Sequence, residues 1–178
     1  MSIIKFPPVK EIALIGILAA VNIASRLFLQ FLPNIKPVTA IIILSVMLFG
    51  LVFGLKLTIV TTIVSDVFLG LGLWTMFQIL AWSVICLLTS LLMIPYRRKE
   101  HGPPLIPMAI YSAVMGFVFG FVVSFEQFVY GGWGLFIPYY IAGLSFDALH
   151  AGGNFFFYLI CAPILMKVMK NEAKKLVH

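Results

Sequence analysis

Asp147, His150 and Asn154 stand three and four residues apart inside SFDALHAGGNFFFYLICAPIL, residues 145–165, a stretch otherwise almost wholly apolar. On a helix that spacing puts a carboxylate, an imidazole and an amide on one face. Thr75, Gln78 and Trp82 repeat the pattern in a second apolar stretch, and Glu126, Gln127 and Tyr130 close a third. Together these groups can exchange hydrogen bonds with an organic molecule. Bond-breaking chemistry asks for more: the chain has no Ser-His-Asp order with a nucleophile turn, no HExxH, no glycine-rich phosphate loop and no carboxylates paired on adjacent turns. The histidines, His101, His150 and His178, fall in a loop, an apolar stretch and the terminus, which argues against a histidine metal site. The expectation is a binding protein that is not an enzyme and needs no cofactor or metal.

The elements that position these residues belong to a membrane. The chain of 178 residues is 62% hydrophobic and only 10% charged, with a mean hydropathy of +1.13, outside the balance of a soluble domain. With about 20 apolar residues needed per spanning helix, there is room for roughly six spans and none for a soluble catalytic domain. The expected fold is therefore all-α: six transmembrane helices in one compact bundle, a single domain over 1–178, with spans at about 11–31, 40–54, 57–73, 75–94, 105–128 and 144–166. The first follows Lys5 and Lys10 as a signal peptide would, but its length, to about Leu32, favours a span. The second is short, and Pro33-Asn34-Ile35-Lys36-Pro37 before it cannot be regular helix, so this loop is expected to tuck against the mouth of the bundle. Cys86 and Cys161 lie in apolar segments as small hydrophobes, uninformative about redox compartment.

The net charge of +6 is distributed as topology signals, at the ends of spans, and not as the basic face that nucleic acid would require. Of the 12 basic residues, Lys5, Lys10, Lys56, Arg97, Arg98, Lys99, Lys167, Lys170, Lys174 and Lys175 fall on one side of the six-span arrangement; Arg26 and Lys36 fall towards the other. By the positive-inside rule both termini are cytoplasmic. The sixth and fourth spans then carry Asp147, His150, Asn154, Thr75, Gln78 and Trp82 in their outer halves, and the fifth delivers Glu126 and Tyr130 to the outer surface.

Polar groups from three helices thus converge on one outer mouth, beneath loops rich in Trp74, Tyr130, Trp133, Phe136, Tyr139 and Tyr140. Rings provide contact area at small entropic cost, which suits a pocket for a mid-sized organic ligand. The candidate substrate-binding set is Asn34, Lys36, Trp74, Gln78, Trp82, Glu126, Tyr130, Trp133, Tyr139, Asp147, His150 and Asn154. Plainer readings stand beside it. Trp133, Tyr139 and Tyr140 can be interfacial anchors, Asp147 a helix cap, His150 and Asn154 ties between helices, and Asp66 a partner of Arg26 or Lys36. On the first span Gly16, Ala20 and Ala24 recur at intervals of four, with Ala13 and Ala19 nearby, so one face is nearly flat. Such a ladder lets helices approach closely, either another span of this chain or a partner protein.

These features together resemble the substrate-binding S components of energy-coupling factor (ECF) vitamin transporters. The resemblance covers essentially the whole chain: the six-span topology, the Pro-Asn-x-x-Pro loop, the Gly-x-Trp-Thr turn, the first-span ladder and Phe-Asp-x-x-His-x-x-Gly-Asn in the sixth span. It implies a protein of a bacterial or archaeal cell membrane that captures a vitamin outside, docks on a transmembrane coupling subunit with two cytoplasmic ATPases, and topples to deliver its cargo. The family's Ala-x-x-x-Ala docking pair is matched by Gly16-x-x-x-Ala20, with Ala20-x-x-x-Ala24 following. The glycine departs from the pattern but preserves the flat surface. Within the family, the aromatic segments look most like the subgroup for cobalamin and related corrinoids. Pantothenate is the alternative, and its carboxylate would want Arg26 or Lys36 aimed into the pocket. Outside the family, a stand-alone secondary carrier or a membrane scaffold protein fits the same composition.

Overall fold

The computed structural model describes residues 3–4, 6–97 and 102–175, with 169–175 as backbone only. Lys5, Arg98, Lys99, His101 and His178, and the side chains of Lys170, Lys174 and Lys175, lie outside the described residues. The regular structure among the described residues is all helix, without a strand: α1 (Pro8–Phe28), α2 (Val38–Phe49), α3 (Leu51–Leu69), α4 (Leu73–Leu92), a 3-10 turn at Ile94–Tyr96, and α5 (Leu105–Lys175). By length and composition α1, α3, α4 and α5 can each cross a membrane.

Proline and glycine punctuate the chain. Pro8 opens α1 at the first helical position, where no N–H is needed. Pro37 precedes α2, and Gly50, at φ 92°, alone separates α2 from α3. The break comes earlier than the expected boundary at Lys56, because a glycine in the left-handed region reverses the chain within one residue. Lys56 therefore sits inside α3, where its Nζ pairs with Glu11 Oε1 at 2.7 Å. The turn from Gly70, φ 103°, to Gly72 leads into α4, and a side chain at Gly72 would collide with the ring of Trp74.

The expected aromatic loop between a fifth and a sixth span is instead part of α5, whose 71 residues depart from helical backbone only at Gly131 and Gly132. Gly132, at φ 61°, lets the chain turn back there without a longer loop. Ring pairs mark two antiparallel arms: Phe128 with Trp133 at 4.9 Å, Phe125 with Phe136 at 4.7 Å and Phe121 with Tyr140 at 5.4 Å. Further along, Ser112 Oγ donates to the backbone oxygen of Asn154 at 3.4 Å. Gly116 and Gly120 permit this approach, since a Cβ on Gly116 would lie 2.8 Å from the backbone nitrogen of Ala151 and one on Gly120 would collide with the Asp147 carboxylate.

Every residue of α2 is buried, as a helix apolar on all sides but for Thr39 and Ser45 requires, and α1, α3, α4 and α5 pack around it. The polarity of the bundle is inverted relative to a soluble protein. Ile12, Ile59, Ile63, Leu80, Leu87, Phe117 and Phe156 face outward, whereas Asn22, Arg26, Thr58, Thr61, Ser65, Asp66 and Asn154 are buried. Apolar surroundings reward that arrangement, because polar groups find partners only inside.

Candidate functional site

The site lies at the end of the bundle where α1 stops and α2 starts. Arg26, near the end of α1, donates from Nη2 to Asp66 Oδ1 on α3 at 2.8 Å and to Gln78 Oε1 on α4 at 2.6 Å. Its guanidinium lies 5.3 Å from the ring centre of Trp82. With side chains only 8% and 1% exposed, the Arg26–Asp66 pair is a buried one in which each charge depends on the other. Asp66 has thus taken Arg26, one of the two partners its position allowed.

A second chain of bonds runs from α4 through α2 to α5. Trp82 Nε1 can only donate, and gives its proton to Thr39 Oγ1 at 3.0 Å; Thr39 Oγ1 lies 3.1 Å from His150 Nε2. With the Thr39 hydroxyl donating to Nε2 the imidazole carries its proton on Nδ1, and with the other tautomer Nε2 donates to Thr39 Oγ1. Neither His150 Nδ1 nor Arg26 Nη1 has a hydrogen-bond partner. Phe119 lies against both sides of the relay, 4.7 Å from Trp82 and edge-on to His150 at 5.0 Å.

Two cavities share a wall here. The smaller, about 100 Å³, is bounded by Arg26, Lys36, Val38, Trp82 and His150; the larger, about 460 Å³, by Gly120, Val123, Ser124, Tyr139, Ala142, Gly143, Phe146 and Asp147; Asn34, Gln78 and Phe119 line both. The loop between α1 and α2 shapes this wall. Asn34 adopts φ 57°, a conformation that asparagine tolerates better than most residues, and its Nδ2 donates to the backbone oxygen of Phe146 at 3.3 Å. Ile35 packs on Gly153, where a Cβ would come within 3.3 Å of the Ile35 Cα. Lys36 follows, with no ion-pair partner among the described residues. Burial, then the neighbouring Arg26 charge, hold its ammonium below the ordinary lysine range.

Seven of the expected substrate-binding residues, Asn34, Lys36, Gln78, Trp82, Tyr139, Asp147 and His150, line this pair of cavities. The other five do not. Asn154 lies deeper, fully buried, with both amide atoms unpartnered. Trp74 donates from Nε1 to the Gly70 oxygen at 3.2 Å and covers its own turn. Glu126, Tyr130 and Trp133 flank the reversal of α5, where Trp133 joins a ring cluster with Phe125, Phe128 and Phe136. Residues not anticipated as part of the wall are Phe119, Phe146 and Ser124, and Thr39 was not anticipated as the bridge behind it. The spacing Gly116-x-x-x-Gly120 was the legible sign that the arms of α5 meet closely at this level.

The ladder on α1 faces away from the bundle. Gly16 and Ala20 are exposed and Ala24 is partly so, and a Cβ at Gly16 would meet nothing within 4 Å. Internal packing therefore does not account for Gly16 and Ala20. Ala19, beside them, is buried. A third cavity, about 280 Å³, lies near Phe6, Phe49 and Phe53 beside the Glu11–Lys56 pair, and contains none of the expected site residues.

The arrangement offers hydrogen-bond donors, aromatic faces and one carboxylate around an open space, which is the equipment of a binding site. No group of three or more His, Cys, Asp or Glu among the described residues is placed to hold a metal ion. No protein-family model, curated protein or solved structure matches the chain.

Proposed function

We propose that this protein is the substrate-binding S component of an ECF-type importer, a six-span protein of the cell membrane with both termini in the cytoplasm, which captures a vitamin or vitamin precursor at its outer end. The observation that carries the reading is the convergence of Asn34, Lys36, Gln78, Trp82, Asp147 and His150, drawn from two helices and a loop, on adjoining cavities at one end of the bundle. The outward ladder of Gly16, Ala20 and Ala24 supplies the flat face that docking on a coupling subunit requires. ATP hydrolysis belongs to the partner ATPases.

Cavities of about 100 and 460 Å³ suit a small vitamin. A corrinoid, with its macrocycle and nucleotide tail, is the second reading, favoured by the rings of Trp82, Phe119, Tyr139 and Phe146 along the wall; it needs the arms of α5 to part. Mass spectrometry of small molecules that copurify with the detergent-solubilised protein, combined with capture of an ATPase-containing module, tests the reading. A vitamin in the first measurement and paired ATPases in the second are expected. Transport in vesicles that lack any ATPase would replace this reading with a secondary carrier, and absence of any tight small ligand would leave a scaffold.

A further inference from the structure

We propose that the smaller cavity is a receptor for one oxyanion group, a carboxylate or phosphomonoester, and that the ligand's remainder lies in the larger cavity with a hydrogen-bond donor turned towards Asp147. The proposal rests on the substrate-capture reading and adds the ligand's chemical class. Three nitrogen-bearing residues line the smaller cavity: Arg26, Lys36 and His150. Arg26 Nη1 and His150 Nδ1 are buried and have no hydrogen-bond partner, and the Lys36 ammonium has no counter-charge among the described residues. Asp66 balances one of the two cations through Arg26 Nη2, so one positive charge is left over.

Water could satisfy the N–H groups but would leave that charge uncompensated; an oxyanion answers both, through charge-assisted bonds stronger than neutral ones. At about 100 Å³ against about 460 Å³ for its neighbour, the smaller cavity is the one suited to a head group and the larger to the rest of the ligand. Asp147 lines only the larger cavity. Its carboxylate repels an anion placed there and accepts from a hydroxyl, amide or ammonium, which fixes the direction in which the ligand lies.

The test uses the purified full chain in detergent, with thermal unfolding and calorimetry. Sodium acetate and inorganic phosphate are compared with sodium chloride at equal ionic strength, and two matched pairs are titrated: pantothenate against its neutral alcohol panthenol, and riboflavin phosphate against riboflavin. At least one oxyanion should stabilise the protein beyond chloride, with the preferred pair identifying carboxylate or phosphate. Its neutral twin should bind at least about 10-fold more weakly, and Lys36→Met should weaken the anionic member by about 10- to 100-fold, as loss of a charged hydrogen bond does. Lys36→Arg should retain binding, and a melting temperature of the ligand-free Lys36→Met protein no lower than that of the parent serves as the folding control. Neutral twins that bind as tightly as anions, no stabilisation by any oxyanion, or indifference to Lys36→Met would each overturn the proposal. Tight binding of a neutral vitamin together with module capture would do so while leaving the substrate-capture reading in place; loss of module capture and of all ligand binding removes that reading itself.

Discussion

Arg26 and Lys36 stand close together with one nearby carboxylate between them, and each settles the imbalance differently. Arg26 is held by Asp66, so removing that partner strands a buried guanidinium. Asp66→Ala should cost about 3–5 kcal/mol in thermal unfolding, the usual penalty for half of a buried pair, and replacing both members with apolar residues, Arg26→Met with Asp66→Leu, should recover most of it. Lys36 has only burial and repulsion, both of which favour its neutral form. Because the folded protein releases this proton at lower pH than the unfolded chain does, the ligand-free protein should gain stability as pH rises from the lowered value towards that of an ordinary lysine. Affinity for an anionic ligand should fall across the same window, since the charge that attracts it is lost. Calorimetric titrations and melting curves over alkaline pH check the opposed signs, and Lys36→Arg should remove both trends.

At the level of elements, the hairpin of α5 depends on two missing side chains. Gly120→Ala would press a methyl group into the Asp147 carboxylate, and Gly116→Ala would place one 2.8 Å from the Ala151 nitrogen. Each should lower stability by about 1–3 kcal/mol, the range for overpacking. Gly120→Ala should in addition alter ligand binding, because Gly120 and Asp147 line the larger cavity. Gly152 is the control: a Cβ there meets nothing within 4 Å, so Gly152→Ala should be neutral or stabilise by up to about 1 kcal/mol through helix propensity. On α1 the same logic runs outward. Ala20→Trp adds its bulk to an exposed face, so ligand affinity of the isolated protein should stay within about 3-fold, a difference well under 1.4 kcal/mol, while assembly with the proposed coupling module should be lost. Equal loss of both would show that the face serves the fold instead.

For the whole molecule, the proposed orientation makes a directional statement. In a background with Cys86 and Cys161 replaced, Leu71→Cys in the α3–α4 turn should react with a membrane-impermeant maleimide in intact cells. Gly102→Cys, between the 3-10 turn and α5, should react only after permeabilisation. The reverse result would invert the topology and move the cavities to the cytoplasmic side, where capture from outside is impossible.

Much of this was legible in the residues alone. Composition is additive, so helices long and apolar enough to cross a membrane could be expected wherever the segments pack. Helical spacing is local, so the shared face of Asp147, His150 and Asn154, the flat ladder of Gly16, Ala20 and Ala24 and the break at Pro33 to Pro37 could be read without knowing a single neighbour. The assembly of the site could not. Asp66 had two eligible cations, Arg26 and Lys36, until α1, α3 and α4 packed, and Thr39 sits in a helix whose largely apolar sequence hides that it bridges Trp82 and His150. The reversal at Gly131 and Gly132 reads as a loop because clustered glycines mark turns; the Phe121, Phe125, Phe136 and Tyr140 rings meet across the arms where helix continues on both sides. Asn154 shares its face with His150 yet ends below the cavities, since spacing along one helix specifies direction but leaves depth to the helices that pack against it.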